Sequence, residues 1–154
     1  MINLKPFQQR ADYCGPASLK MVLHHFGIEK TEKEIANKVG VTARLGIEAE
    51  DLLKYSKKLG LKGRIQDSAK LEDLTHWVKR KKIPIIVEWF FEDDGHFSVV
   101  VDIDKENVYL QDPDLGHVRA FTRKKFLRIW FTFPTDYMRK ESDLILRRML
   151  ILHK

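Results

Sequence analysis

The chain has a single thiol, Cys14, set in Gln8-Gln9-Arg10-Ala11-Asp12-Tyr13-Cys14-Gly15-Pro16-Ala17-Ser18-Leu19-Lys20-Met21. The residues after it take up an apolar pattern of helical period. Pro16 falls in the first turn, where its missing N–H costs nothing. A thiol reacts as its thiolate, and a helix N-terminus favours that anion. Free cysteines also serve as small buried hydrophobes, so residue type alone does not decide the role. The place at the helix mouth, off the apolar stripe, marks Cys14 as a candidate nucleophile.

A nucleophilic thiol needs a base, and the base needs a group that orients it. Of six histidines, His96 follows Gly95 at the start of an apolar, β-branched run. A ring there can emerge at a sheet edge. His24 and His25 sit near a helix C-terminus without a partner at metal-ligand spacing. His76, His117 and His153 lack a comparable setting. Asp112 ends the run Val108-Tyr109-Leu110-Gln111, which can pair with His96–Val101 through a hairpin at Asp104-Lys105-Glu106-Asn107. Antiparallel pairing brings the end of one strand beside the start of the other, so His96 and Asp112 are expected to meet. Asp112 before Pro113 also reads as a turn initiator, and the two roles are compatible. Gln8 or Gln9, with the backbone N–H of Cys14, could hold the oxyanion of a tetrahedral intermediate. A plain surface glutamine is the alternative for either.

The elements that must position these groups come in two sets. Leu19, Val22, Leu23 and Phe26 predict a first helix over about Gly15 to Phe26, stopped by Gly27. Thr31 and Glu34 form a capping box for a second helix that Gly40 closes. A third helix is expected from about Ile47 to Leu59, after Gly46. A short strand follows at Leu61–Gln66, then a fourth helix at Leu71–Lys81, ending before Pro84. From Ile85 the pattern turns β-branched and aromatic. Strands are predicted at Ile85–Phe91, His96–Asp102, Val108–Gln111 and Val118–Phe121. A brief helix from Thr122 to Phe126 and a fifth strand at Ile129–Phe133 complete the series. Helices first and an antiparallel meander second give an α+β domain. The helical half is residues 1–82, the sheet is residues 83–135, and the cleft between them is the natural site. Residues 136–154 read as a basic, then apolar tail, a last helix or strand packing on the domain or on a partner such as a second copy.

Size and charge set limits on the function. A chain of 154 residues favours one core. No apolar run reaches the ~20 residues of a membrane span, and the N-terminus shows no secretory signal. One cysteine forms no internal disulfide, so cytoplasm is the default compartment. The formal net charge of +6 is concentrated: residues 119–154 carry ten basic and three acidic side chains. No nucleic-acid motif accompanies that basicity, and nucleic acid is not the expected partner. No metal or organic cofactor is implied.

The motifs Gln-x(4 or 5)-Cys-Gly-Pro-Ala-Ser-Leu-x-Met, Gly-His-Phe-x-Val-Val and Asp-Pro, in this order, resemble the bacteriocin-processing cysteine peptidases. These double-glycine leader peptidases are a papain-like family. The resemblance runs from about Pro6 to Trp130. It implies a papain-like fold over residues 1–135, with Cys14 as nucleophile, His96 as general base, Asp112 orienting the imidazole and Gln8 or Gln9 completing the oxyanion hole. It also implies a peptide or protein substrate, cleaved after paired small residues. Many members are the N-terminal domain of an export transporter, whereas this chain reads as a free-standing one. Tyr13 stands where the transporter-fused enzymes carry an acidic residue. Acyl transfer or deamidation would use the same triad, and a non-catalytic peptide-binding module would use the same cleft.

Overall fold

The computed structural model describes residues 1–10, 13–40 and 48–154. Three helices lead: α1 (Cys14–His25), α2 (Glu32–Val39) and α3 (Ala49–Lys58). The expected start of the third helix at Gly46 and Ile47 lies outside the described residues. Thr31 caps α2 as the sequence predicts. Its hydroxyl accepts from the Glu34 N–H at 3.0 Å, and the Glu34 carboxylate accepts from the Thr31 N–H at 3.2 Å. Gly27 ends α1 at φ +82°, a left-handed turn that a Cβ would disfavour.

Then come β1 (Lys62–Gln66), α4 (Leu71–Thr75) with a wider π turn continuing it through His76–Arg80, β2 (Ile85–Phe91), β3 (Asp94–Ile103), β4 (Asn107–Asp112), β5 (His117–Thr122) and α5 (Arg123–Ile129). Two short strands, β6 (Phe131–Thr132) and β7 (Ile145–Leu146), pair as a separate ribbon, and β8 (Met149–His153) follows. The main sheet is antiparallel throughout, in the order β1-β8-β2-β3-β4-β5. Leu19, Val22, Leu23, Ile35 and Leu52 cover one face, against Phe97, Val99, Leu150 and Leu152. Leu71, Leu74, Val78, Phe126 and Trp130 cover the other, against Trp89, Val100 and Leu110. Among the described residues, no helix is long and apolar enough to cross a membrane.

One expectation needs correcting. The strand predicted at Ile129–Phe133 is instead the end of α5 followed by the two residues of β6. Phe126 and Trp130, four apart, are fully buried with ring centroids 4.9 Å apart. That i, i+4 pair carries the helical turn through Ile129. For residues 136–154, read as a last helix or strand on the domain or on a partner, the structure has a strand in the main sheet. Met149 and Ile151 enter one core while Leu150 and Leu152 enter the other. An apolar run buried on both faces is a central strand, and β8 lies between β1 and β2.

The sheet end that matters for the site is tightly shaped. A Cβ on Gly95 would stand 2.5 Å from the Thr132 hydroxyl, so β6 can lie against the β2–β3 hairpin only because residue 95 has no side chain. The next residue is His96.

Candidate active site

Cys14 is the first residue of α1 and is half-buried. The first helical hydrogen bond runs from the Ala17 N–H to the Tyr13 carbonyl at 2.9 Å. The N–H groups of the opening turn have no partner further up the helix. They face the region where the thiol stands, and α1 packs on β3.

His96 comes from β3 and is 7% exposed. Asp112 ends β4 and is fully buried. The ladder pairs Val99 with Gln111. One step on, Asp112 comes opposite Ser98, and His96 lies two residues away on the same face, a diagonal neighbour within reach of long side chains. His96 Nε2 bonds Asp112 Oδ1 at 2.7 Å. Asp112 also initiates the turn after β4: its Oδ1 accepts from the Asp114 N–H at 2.9 Å, and its carbonyl from the Gly116 N–H at 2.8 Å. The bond to His96 and the turn coexist on this one residue.

Nε2 is committed to Asp112, which leaves Nδ1 as the other ring nitrogen, and Cys14 is near enough to the ring to favour its charged form. Burial works against charging His96. The hydrogen bond to Asp112, the proximity of Cys14 and the negative charge of both outweigh it and raise the imidazolium pKa from 6.5 to about 9. Burial likewise works against ionised Asp112. The bond and charge of His96, the Asp114 N–H and Arg119 outweigh it and hold the carboxyl below its usual range.

Arg119, from β5, joins the site without any local signal in the sequence. Its Nη1 donates to Asp112 Oδ2 at 3.0 Å. It stands on the alternating face of β5 that also carries Phe121. That parity is legible in the sequence only once the β4–β5 register is known. Trp89 and Phe91 complete a wall, with ring centroids 5.1 and 5.6 Å from that of His96.

The loop before Cys14 is pinned on both sides of the cleft. The Gln9 N–H bonds the Pro113 carbonyl at 2.8 Å, and the Arg10 N–H bonds the buried Glu32 carboxylate of α2 at 3.0 Å. This brings both glutamines to the loop after Asp112. Gln8 is exposed; its side chain lies over Gly116 and its amide donates to the Asp114 carbonyl at a long 3.4 Å. Gln9 is half-buried, with an Oε1 that has no hydrogen-bond partner among the described residues. A small pocket lined by Lys5, Phe7, Lys20, Met21 and His24 contains none of these groups.

Residues 5–134 match the peptidase C39 family, a match that spans the thiol, the ring and the carboxylate. The chain belongs to the peptidase C39 family. C39 members are cysteine peptidases, hydrolases of peptide bonds, and bacteriocin-processing peptidase domains are among them. An uncharacterised protein of Methanothermobacter thermautotrophicus is 34% identical over 123 residues, 80% of each chain. The lactococcin-G-processing and transport ATP-binding protein LagD of Lactococcus lactis is 29% identical over 125 residues, 80% of this chain and 17% of that one. The double-glycine-motif protease from an AMS/PCAT transporter, solved in complex with the leader peptide, superposes with a TM-score of 0.73 at 24% identity, covering 98% of this chain and 91% of that one. The C39 fold of this chain is thus papain-like, as the sequence motifs imply.

Proposed function

We propose that this C39 chain hydrolyses its substrate through a Cys14–His96–Asp112 triad and that the substrate is a leader peptide cut after paired small residues. The observation that carries the reading is the Nε2–Oδ1 bond of 2.7 Å, which leaves Nδ1 for the thiol. His96 takes the Cys14 proton through Nδ1, giving a thiolate–imidazolium pair. The thiolate attacks the scissile carbonyl, and the oxyanion is met by the Cys14 N–H and a glutamine amide. The imidazolium gives its proton to the leaving amine as the C–N bond breaks. A water then adds to the thioester, His96 accepts its proton, and the carboxylic acid leaves as the thiol is restored.

The glutamine is Gln8. A donor to a substrate oxyanion has to be open to the substrate and easily released from its resting partner. An exposed amide held by a 3.4 Å bond meets both conditions. Gln9, tied by its own backbone to Pro113 and half-buried, serves to hold the loop.

The leader-peptide specificity rests on the likeness to LagD and to the leader-bound double-glycine protease. A reactive thiol in a chain without a second cysteine suits a reducing compartment such as the cytoplasm. The test uses synthetic peptides carrying Gly-Gly, Gly-Ala or Val-Val before the scissile bond, with products read by mass. Hydrolysis adds water, transfer adds an amine, and deamidation releases ammonia. Cleavage after Gly-Gly that disappears in Cys14→Ala supports the reading. Undiminished cleavage in Cys14→Ala sinks it, and equal cleavage after Val-Val sinks the specificity.

A further inference from the structure

Asp112 has more than one partner to satisfy. One carboxylate oxygen takes Nε2 of His96 and the Asp114 N–H. The other takes Nη1 of Arg119 at 3.0 Å. The Arg119 guanidinium is itself caged, with its carbon 4.8 Å from the Phe121 ring centre and 5.4 Å from those of Trp89 and Phe91. Trp89 and Phe91 are also the rings packed on the His96 imidazole. The two cations thus share one carboxylate and one aromatic wall. Among the described residues, the charged or titratable groups facing the ring are Asp112 from β4 and Cys14 from α1, with Arg119 of β5 behind the carboxylate. His117, directly opposite Asp112 in the ladder, is exposed and turns Nδ1 to the Val118 carbonyl.

We propose that Arg119 is a positioning residue for the imidazole: by occupying Oδ2 it fixes the plane of the Asp112 carboxylate and divides that charge between two cations, so that the His96 imidazolium can still release its proton to the leaving amine. The physical reason is a balance. Without Arg119 the buried carboxylate would keep both its partners on Oδ1 and leave Oδ2 unsatisfied. It would also place its whole charge on the imidazolium, and an acid held that strongly is a poor proton donor. A guanidinium meets both needs, because it stays charged at every working pH and can stack on aromatic faces while donating in plane.

The proposal rests on the triad reading, and its test is arranged so that the two fail separately. The His96 ring is titrated by NMR in Cys14→Ser protein, alone and combined with Arg119→Met or Arg119→Lys. Removing the competing charge is expected to raise the ring's midpoint by about one unit in Arg119→Met, with Arg119→Lys in between. In the Cys14 protein, Arg119→Met is expected to lower kcat about tenfold or more with KM within about twofold, and Arg119→Lys to recover part of it. A ring midpoint that does not move in either variant overturns the proposal and leaves Arg119 as a packing residue, whatever happens to thermal stability. Arg119→Lys keeps the charge and provides the reading if Arg119→Met does not fold. Parent protein without peptidase activity would sink the triad reading, and the ring titration would still decide the role of Arg119.

Discussion

Trp89 and His96 stand directly opposite each other in the β2–β3 ladder, and the indole meets the imidazole edge to face, with centroids 5.1 Å apart and planes at 87°. The indole is held in turn by its own N–H, which donates to the buried Ser98 hydroxyl at 3.0 Å. Ser98→Ala leaves that donor buried without a partner, at a cost of about 1–3 kcal/mol. Urea unfolding of Ser98→Ala is the measurement. Wild-type stability would show that the indole N–H is satisfied elsewhere and that this bond does not support the wall.

The imidazolium at about 9 sets an alkaline limit. A base whose folded pKa lies above its ordinary 6.5 contributes stability that is complete below 6.5 and is lost as pH rises through about 9. The proposed mechanism uses the same proton, for delivery to the leaving amine. Activity is therefore expected to fall on the alkaline side with a midpoint near 9, as read from the pH profile of kcat/KM. On the acid side the Asp112 contribution persists until pH drops below the ordinary carboxyl range, since its pKa is depressed. An alkaline limb near 6.5 would contradict the pairing of Asp112 and Cys14 with the ring.

Gln8 and Gln9 are adjacent in sequence but differ in burial. Loss of one oxyanion donor typically lowers kcat by about 10²–10³-fold. Gln8→Ala is expected to show that fall with little change in KM. Gln9→Ala is expected to show a smaller loss, accompanied by lower stability. Single-turnover hydrolysis of one peptide by both variants decides, and a reversed order would transfer the role to Gln9.

On β2, burial pushes the Glu88 carboxyl up to about 8. Arg148 opposes that shift, but its N–H groups go to Asp67, at 2.7 and 2.9 Å, and to Glu50 at 3.0 Å. Glu48, Glu50 and Asp67 add to the upward push. For an acid raised in the folded state, stability declines as pH rises from about 4.5 to about 8. Glu88→Gln removes the ionisation, and at pH 8 it is expected to stabilise the protein by about 2 kcal/mol or more, with little effect at pH 4. Thermal melts at the two pH values test this; equal effects at both would rule out burial of the charge as the cause.

The placement of Cys14 at a helix start and the meeting of His96 with Asp112 are legible because each is announced locally: a helix start with Pro16 behind it, a turn-to-strand junction at Gly95, and a hairpin of plain geometry. Arg119 is not. Its meaning depends on which face of β5 meets Asp112, and that follows from a cross-strand register. The apolar run of β8 was ambiguous for a related reason. A short run without alternation reads equally as helix or buried strand, and its partner β1 is more than eighty residues earlier, with Ile65 opposite Leu150. The proposed choice of Gln8 over Gln9 draws on burial and hydrogen-bond partners, which spacing from Cys14 does not supply.

The insertion of β8 between β1 and β2 has a consequence for the order of assembly. β1, the strand contributed by the helical half, joins the sheet only through β8. During synthesis, β2 to β5 can close as successive hairpins while β1 waits with its edge open. Pairing β1 with β8 closes a loop of more than eighty residues, the kind of contact that slows folding. α1 and β3, which carry Cys14 and His96, pack on each other directly, but the core beneath them takes in Leu150 and Leu152 only when β8, the last strand made, is in place.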